Sequence, residues 1–212
     1  MKLIRVKGVK KFAFCILLLS GVSLFAQRPI GGSCEGCEAA LEYNVPFEKL
    51  NHEVYMPDWN EQGPKMIIRG RVFKNDGKTA AEGVIVYLYH TDQHGVYKPA
   101  PGAKGWAQRH GYIRGWAKTN ANGEYVIYTL KPAPYPKEKF AAHVHVTIKE
   151  PGKNPYWIEE YLFEGDPFIT PEEKNTATPR RGSYGLLKLI RNKGILEGKR
   201  DIVLGLNVPD YY

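Results

Sequence analysis

Short stretches of this chain alternate apolar and polar residues with period two and are rich in β-branched and aromatic side chains. They are MIIRGRVFK (Met66 to Lys74), VIVYLYHT (Val84 to Thr91), EYVIYTL (Glu124 to Leu130), AHVHVTIK (Ala142 to Lys149), YWIEEYLF (Tyr156 to Phe163) and DIVLGLNV (Asp201 to Val208). Each predicts a strand with one face turned to a core. Turn signals separate them: KNDGK at 74–78, NANG at 120–123 and KPAPYP at 131–136, where glycine supplies positive φ and proline sets the bend. Helix signals are few: CEAALEY near the N-terminus, a first turn at Thr170 to Glu173 and a short amphipathic piece from Tyr184 to Arg191. The pattern predicts an all-β protein, a β-sandwich of mixed or antiparallel sheets with long loops and a few short helices. Tyr97 to Tyr112 holds too many glycines and prolines for a regular element, and long loops on a rigid sandwich are where sites sit.

The chain's 212 residues, 43% hydrophobic and 12% aromatic, suffice for one sizeable core. Lys2, Arg5, Lys7, Lys10 and Lys11 precede an apolar run from Phe12 to Ala26, with no acidic residue before Glu35. That is the layout of a signal peptide over residues 1–26, and the run is too short to span a bilayer. The expected organisation is this leader, an N-terminal segment 27–64 and a sandwich domain 65–212. Export to the periplasm or the medium follows, with no membrane span once the leader is removed. Its removal lowers the formal charge from +8 to about +3, which takes away the main argument for nucleic acid as a partner. The basic group Arg180, Arg181, Lys188, Arg191 and Lys193 reads as a solvated face. The mature chain keeps Cys34 and Cys37 in SCEGCE; in an oxidising compartment such a lone pair predicts a short-loop disulfide, with a redox or metal role as the alternative.

Candidate chemistry begins with AAHVHV. Residues two apart on a strand face the same side, so His143 and His145 address one point while Val144 packs behind them. Such a pair suits a metal, although H-x-H equally describes two satisfied or solvent-facing histidines. Two loops offer further ligands: TDQHGVYKP places Tyr97 just past a glycine turn, and LKPAPYPKEKF places Tyr135 in a proline-locked corner. Rim packing is the bland reading of either tyrosine. His90, Asp92 and His94 form a second cluster, read as a structural turn with a second metal site as the minority view.

The succession of GRVFKNDGKTAAEGVIVYLYHTDQHGVY, RGWAKTNANGEYVIYTLKPAPYP, AAHVHV and EYLFEGDP resembles the core of the intradiol ring-cleaving dioxygenases, which include the catechol and protocatechuate dioxygenases. The similarity runs from about Lys65 to Pro167. It implies a β-sandwich in which a non-haem ferric ion is held by Tyr97, Tyr135, His143 and His145. It also implies an aromatic diol and O2 as reactants, Tyr135 as the ligand that yields to the diol and takes up a proton, and a muconate-type product. Two phenolates offset much of the charge of Fe(III), whereas zinc more typically recruits Cys, His or carboxylate.

The substrate-activating shell departs from that family. Where catechol-cleaving members carry an arginine three residues before the first histidine, this chain has Phe140, and Glu160 stands where a glutamine lines their pocket. Arg109 or Arg114, from the long loop, is the candidate replacement cation. The competing readings are a non-enzymatic transthyretin-like sandwich, which has no reason to carry the four-donor set, and an iron-binding member with little activity. The sequence carries no signal for an oligomeric state.

Overall fold

The computed structural model describes residues 29–212; the expected signal peptide and Cys15 lie outside the described residues. In chain order the elements are β1 (Glu53–Tyr55), β2 (Lys65–Phe73), β3 (Ile85–Tyr89), the one-turn helix α1 (Trp106–Arg109), β4 (Arg114–Lys118), β5 (Glu124–Leu130), β6 (His143–Lys149) and β7 (Tyr156–Phe163). They continue with α2 (Pro171–Lys174), β8 (Leu186–Leu187), β9 (Ile190–Asn192), β10 (Ile195–Lys199) and β11 (Ile202–Val203). Two sheets form. One runs β1-β5-β2-β10-β9, with β11 also pairing β2, and the other β4-β3-β6-β7-β8. Both are mixed: β2 lies antiparallel to β5 but parallel to β10, and β6 lies antiparallel to β7, which lies parallel to β8.

The period-two pattern explains the layering. Met66, Ile68 and Val72 of β2 and Tyr125 and Ile127 of β5 turn inward to meet Val86 and Leu88 of β3, Val144, Val146 and Ile148 of β6, and Tyr156, Ile158, Tyr161 and Phe163 of β7. Each such side chain contributes about 1.5–3 kcal/mol on burial. The second sheet is also covered on its outer face. There a 3₁₀ turn, Cys37–Leu41, sets Ala39 and Ala40 against Ile85, Tyr87 and Trp116, and Leu50 completes the cluster. The segment before β2 therefore packs on the sheet that carries the two histidines, and β1 adds a parallel edge to β5. Among the described residues, no helix is long and apolar enough to cross a membrane.

The structure differs from the local pattern at the C-terminus. Tyr184 to Arg191 is not a helix: Leu186 and Leu187 pair with Leu162 and Phe163, and Ile190 and Arg191 pair with β10. Its apolar spacing serves a sheet edge because β7 offers an unpaired ladder there. The strand expected from Asp201 to Val208 shortens to β11, after which Asn207 takes a left-handed φ of 54° in the turn. β1, β4, β9 and β10 are too short, or too polar, to show alternation of their own; their partners define them.

Candidate metal centre

Strand β6 turns Val144 and Val146 into the core and His143 and His145 outward. The Nδ1 of His143 lies 2.7 Å from the carbonyl of Ala141, and the Nδ1 of His145 lies 2.6 Å from Oε1 of Glu160. Neither acceptor has a proton to give, so each ring is assigned the tautomer that carries its proton on Nδ1 and donates it. Both Nε2 atoms are thereby left as lone-pair donors, 3.2 Å apart. Tyr97 Oη sits 2.7 Å from Nε2 of His145 and 2.8 Å from Tyr135 Oη, which in turn is 3.2 Å from Nε2 of His143. The structure thus brings together the four residues singled out in the sequence around one point, as two nitrogens and two phenolic oxygens.

Local sequence explains each placement. Between Val144 and Val146 the ladder with β7 shifts: Val144 faces Tyr161 and Val146 faces Ile158, so Glu159 and Glu160 together oppose His145. This bulge breaks the alternation of YWIEEYLF at its paired glutamates and swings Glu160 to the imidazole. Arg200, 3% exposed, holds the bulge by donating from Nη1 to the Glu159 carbonyl at 2.6 Å. The start of β6 is pinned by Asp166, whose carboxylate accepts from Ala142 N at 3.0 Å and Phe168 N at 3.0 Å. On the Tyr97 loop, Asp92 Oδ1 accepts from the amides of His94 and Val96, 2.8 and 3.1 Å away, which closes the turn. Gly95 has φ +74°, and a Cβ on it would come 2.1 Å from the carbonyl of Pro134. Only glycine lets the Tyr97 turn lie flat on the Tyr135 corner.

Burial raises the Tyr97 phenol well above the ordinary tyrosine value, with its hydrogen bond to Tyr135 adding to the effect, and burial raises Tyr135 as well. Without a cation both phenols stay protonated at neutral pH, so a strong Lewis acid is needed to hold them as phenolates. A hard trivalent ion fits this donor set: two imidazoles and two oxygens that become anionic only against high charge. Burial alone would raise the Glu160 carboxyl, but the His145 hydrogen bond and charge outweigh it and hold the group below the ordinary carboxylate value. Glu160 lies close enough to both histidines to suggest a His-His-Glu site. It faces the Nδ1 side of His145, however, away from the convergent Nε2 atoms.

Two cavities meet at Tyr89 and His145. One, of about 230 Å³, is lined by Tyr97, Tyr135, Trp106, Arg109, His110 and Glu35. The other, of about 440 Å³, runs along β7 past Glu160, Leu162 and Trp157 to Tyr184. Arg109 therefore reaches the site. Arg114 does not line either cavity: its Nη1 donates to Glu42 at 3.1 Å and its guanidinium lies over Trp116. Phe140 lines neither as well; it is 59% exposed and meets Tyr135 edge-on with centroids 6.3 Å apart. His90, Asp92 and His94 do not form a cluster, because His90 is buried against Thr129 at 2.7 Å and Asp92 is engaged by its turn. Cys34 and Cys37 form a disulfide whose loop borders the larger cavity.

Sequence reasoning passed over Tyr89, whose ring stacks on His145 at 4.4 Å on one side and on His110 at 3.7 Å on the other. Its signal was available: Tyr87 and Tyr89 alternate onto the same outer face as the histidines. Glu42 was also missed. It accepts from the Trp106 amide at 3.3 Å as well as from Arg114, and so ties the long loop to the N-terminal segment.

The family model described as dioxygenase matches residues 42–183. Among solved structures, the chain is similar to the dioxygenase domain of a dioxygenase and carbohydrate-binding protein fusion from Streptomyces sp. SirexAA-E, at 23% identity over 68% of this chain and 82% of that one (TM-score 0.51). A chlorocatechol 1,2-dioxygenase from Pseudomonas putida aligns at 21% identity over 74% and 67% (TM-score 0.53). A 3-chlorocatechol 1,2-dioxygenase from Rhodococcus opacus 1CP aligns at 20% over 76% and 68% (TM-score 0.54). These structural likenesses establish a shared fold.

Proposed function

The chain belongs to the intradiol dioxygenase family, and we propose that it is an exported Fe(III) enzyme that opens an aromatic diol between its hydroxyl-bearing carbons with O2. The observation that carries this reading is the convergence of Tyr97 Oη, Tyr135 Oη and the two Nε2 atoms, with both Nδ1 atoms tied to fixed acceptors. Held by these four residues, a ferric ion supplies Lewis-acid activation of the diol and a template for its meeting with O2.

The chain's own residues do the rest. Three of the donors are restrained: His143 and His145 by the β6 ladder and their Nδ1 partners, and Tyr97 by the Asp92 turn. Tyr135 sits in the loop between β5 and β6, outside the ladder that fixes the histidines, and is the donor assigned to yield to the diol. Tyr135 Oη would be the group placed to accept a proton from a bound diol, and burial makes it a strong base. Glu160 keeps His145 oriented throughout by accepting its Nδ1 proton. The apolar wall of Trp157, Leu162 and Leu186, in the cavity that also reaches His145, receives the ring.

Export is supported by the basic-then-apolar layout of residues 1–26 and by the Cys34–Cys37 disulfide. A mature N-terminus near Gln27 in protein recovered from outside the cytoplasm would agree with it; an intact leader would not.

The test is direct. Purified protein should hold about one ferric ion per chain, show a visible phenolate-to-iron band, and take up O2 in the presence of catechol. Colourless protein without iron after growth in iron-rich medium would overturn the reading. Retained iron with no O2 uptake on any diol would reduce it to an iron-binding protein.

A further inference from the structure

The reading above leaves one charged pair at the mouth of the site without a role. Only Glu35 and Gly36 lie between the two bonded cysteines. Gly36, with φ +88°, presses so closely on α1 that a Cβ there would stand 2.7 Å from Nε2 of His110 and 3.1 Å from the Trp106 ring. Glu35 makes an ion pair with Arg109, whose guanidinium also lies over Trp106 with 5.1 Å to the ring centroid. Glu35 and Arg109 line the same cavity as Tyr97, Tyr135 and His145, and among its lining residues Arg109 is the one lysine or arginine. In the adjoining cavity Arg180 is matched by Glu159 at 3.6 Å, and Glu160 and Glu173 add further negative charge.

We propose that the Cys34–Cys37 loop is a specificity wall: by holding Glu35 against Arg109 it neutralises the cation beside the metal centre, so the site takes aromatic diols whose ring carries no carboxylate. This rests on the reading of the site as a diol-binding centre. Both side chains are more than half exposed, 73% for Glu35 and 60% for Arg109, so the pair adds little to stability. Its effect falls on the ligand. An unpaired guanidinium at this position would offer a ring carboxylate a charge-assisted contact, whereas a paired one must first give up Glu35. The disulfide fixes the backbone on either side of Glu35 and so sets the position from which its side chain meets Arg109.

Benzoate, which has the ring carboxylate without the diol, is the probe, titrated into the metal-free folded protein and followed by ligand-observed NMR. Glu35→Gln should tighten benzoate binding by up to about fivefold, the upper end of what an exposed ion pair supports. The Cys34→Ser/Cys37→Ser double variant should shift in the same direction. Adding Arg109→Gln to Glu35→Gln should remove the gain. Equal benzoate affinity in wild type and Glu35→Gln, or a gain that survives loss of Arg109, overturns the proposal. Failure of the metal reading shows elsewhere, in the iron content and visible band of the wild type, so the two outcomes are separable.

Discussion

At Glu160 the chain puts a carboxylate whose one side-chain partner among the described residues is the Nδ1 proton of a histidine, 2.6 Å away. That contact decides which nitrogen of His145 faces the donor cluster, and a carboxylate makes that nitrogen a better ligand than an amide would. Glu160→Ala should weaken iron affinity about 10- to 100-fold, read by competition with a chelator. Glu160→Gln, which can still accept the proton, should lose less. Unchanged affinity in the alanine variant would mean that the ring stack on Tyr89 suffices to orient His145. At the same scale, Tyr97→Phe and Tyr135→Phe should affect different measurements. Loss of Tyr97, a restrained donor, should lower iron retention and shift the visible band. Loss of Tyr135 should leave more iron bound but slow O2 uptake, because the proton acceptor is gone. Indistinguishable variants would argue against the separate roles assigned from the turn at Asp92 and the open loop around Tyr135.

At the scale of elements, the site depends on two loops meeting and on one strand starting in the right place. A Cβ at Gly95 would meet the Pro134 carbonyl at 2.1 Å in a backbone of φ +74°. Gly95→Ala should therefore cost about 1–3 kcal/mol of stability, seen in chemical denaturation, and should separate Tyr97 from Tyr135. Asp166 bonds the amides of Ala142 and Phe168. Asp166→Ala leaves both amides to find new partners, at about 1–3 kcal/mol, and should lower iron affinity as well, because the Ala141 carbonyl that orients His143 is adjacent. Asp166→Asn, which keeps one acceptor oxygen, should recover part of both losses. A variant that loses stability yet keeps full iron affinity would show that β6 is set by its neighbours β3 and β7 alone.

At the scale of the whole molecule, His110 joins the N-terminal segment, the long loop and the second sheet. Its ring is buried, stacks on Tyr89 and shares a hydrogen bond with the Tyr87 hydroxyl, 2.9 Å from Nδ1. Burial, with smaller effects from the charges of His145, Arg114 and Arg109, lowers it from the ordinary 6.5 to about 4. A depressed histidine destabilises the fold in acid: between pH 6.5 and about 4 the unfolded chain takes up a proton that the folded chain refuses. Stability should be highest from this group above pH 6.5 and fall through that window, by an amount on the order of 2 kcal/mol once solvent screening of the ring is allowed for. Melting temperature against pH should show this fall in the wild type and a flatter profile in His110→Gln. Parallel profiles would place the acid sensitivity in the buried His90 instead, whose imidazole is likewise lowered by burial.

The longer strands could be read from single segments because alternation is a property of one stretch of chain: β2, β5, β6 and β7 each show inward residues at every second position. The same rule placed His143 and His145 on one face; the glycine and proline turns placed Tyr97 and Tyr135 in loops, and the resemblance of the motif order singled them out as partners of the histidines. That is as far as local periodicity and turn chemistry reach. The bulge that brings Glu160 to His145 depends on the register between β6 and β7. The Leu186–Leu187 pair becomes a strand only because β7 lies beside it. Arg109 reaches the site and Arg114 does not because Glu35 and Glu42, far away in the chain, claim them on different sides of the loop. The amino-acid sequence alone determined the sheet faces and the pairing of His143 with His145 on one of them, since these follow from neighbouring residues, while Tyr97 and Tyr135 were singled out by the resemblance of the motif order. Tertiary structure alone decided which charges meet the donors and which are turned away, since a side chain's partner depends on what the rest of the chain packs beside it.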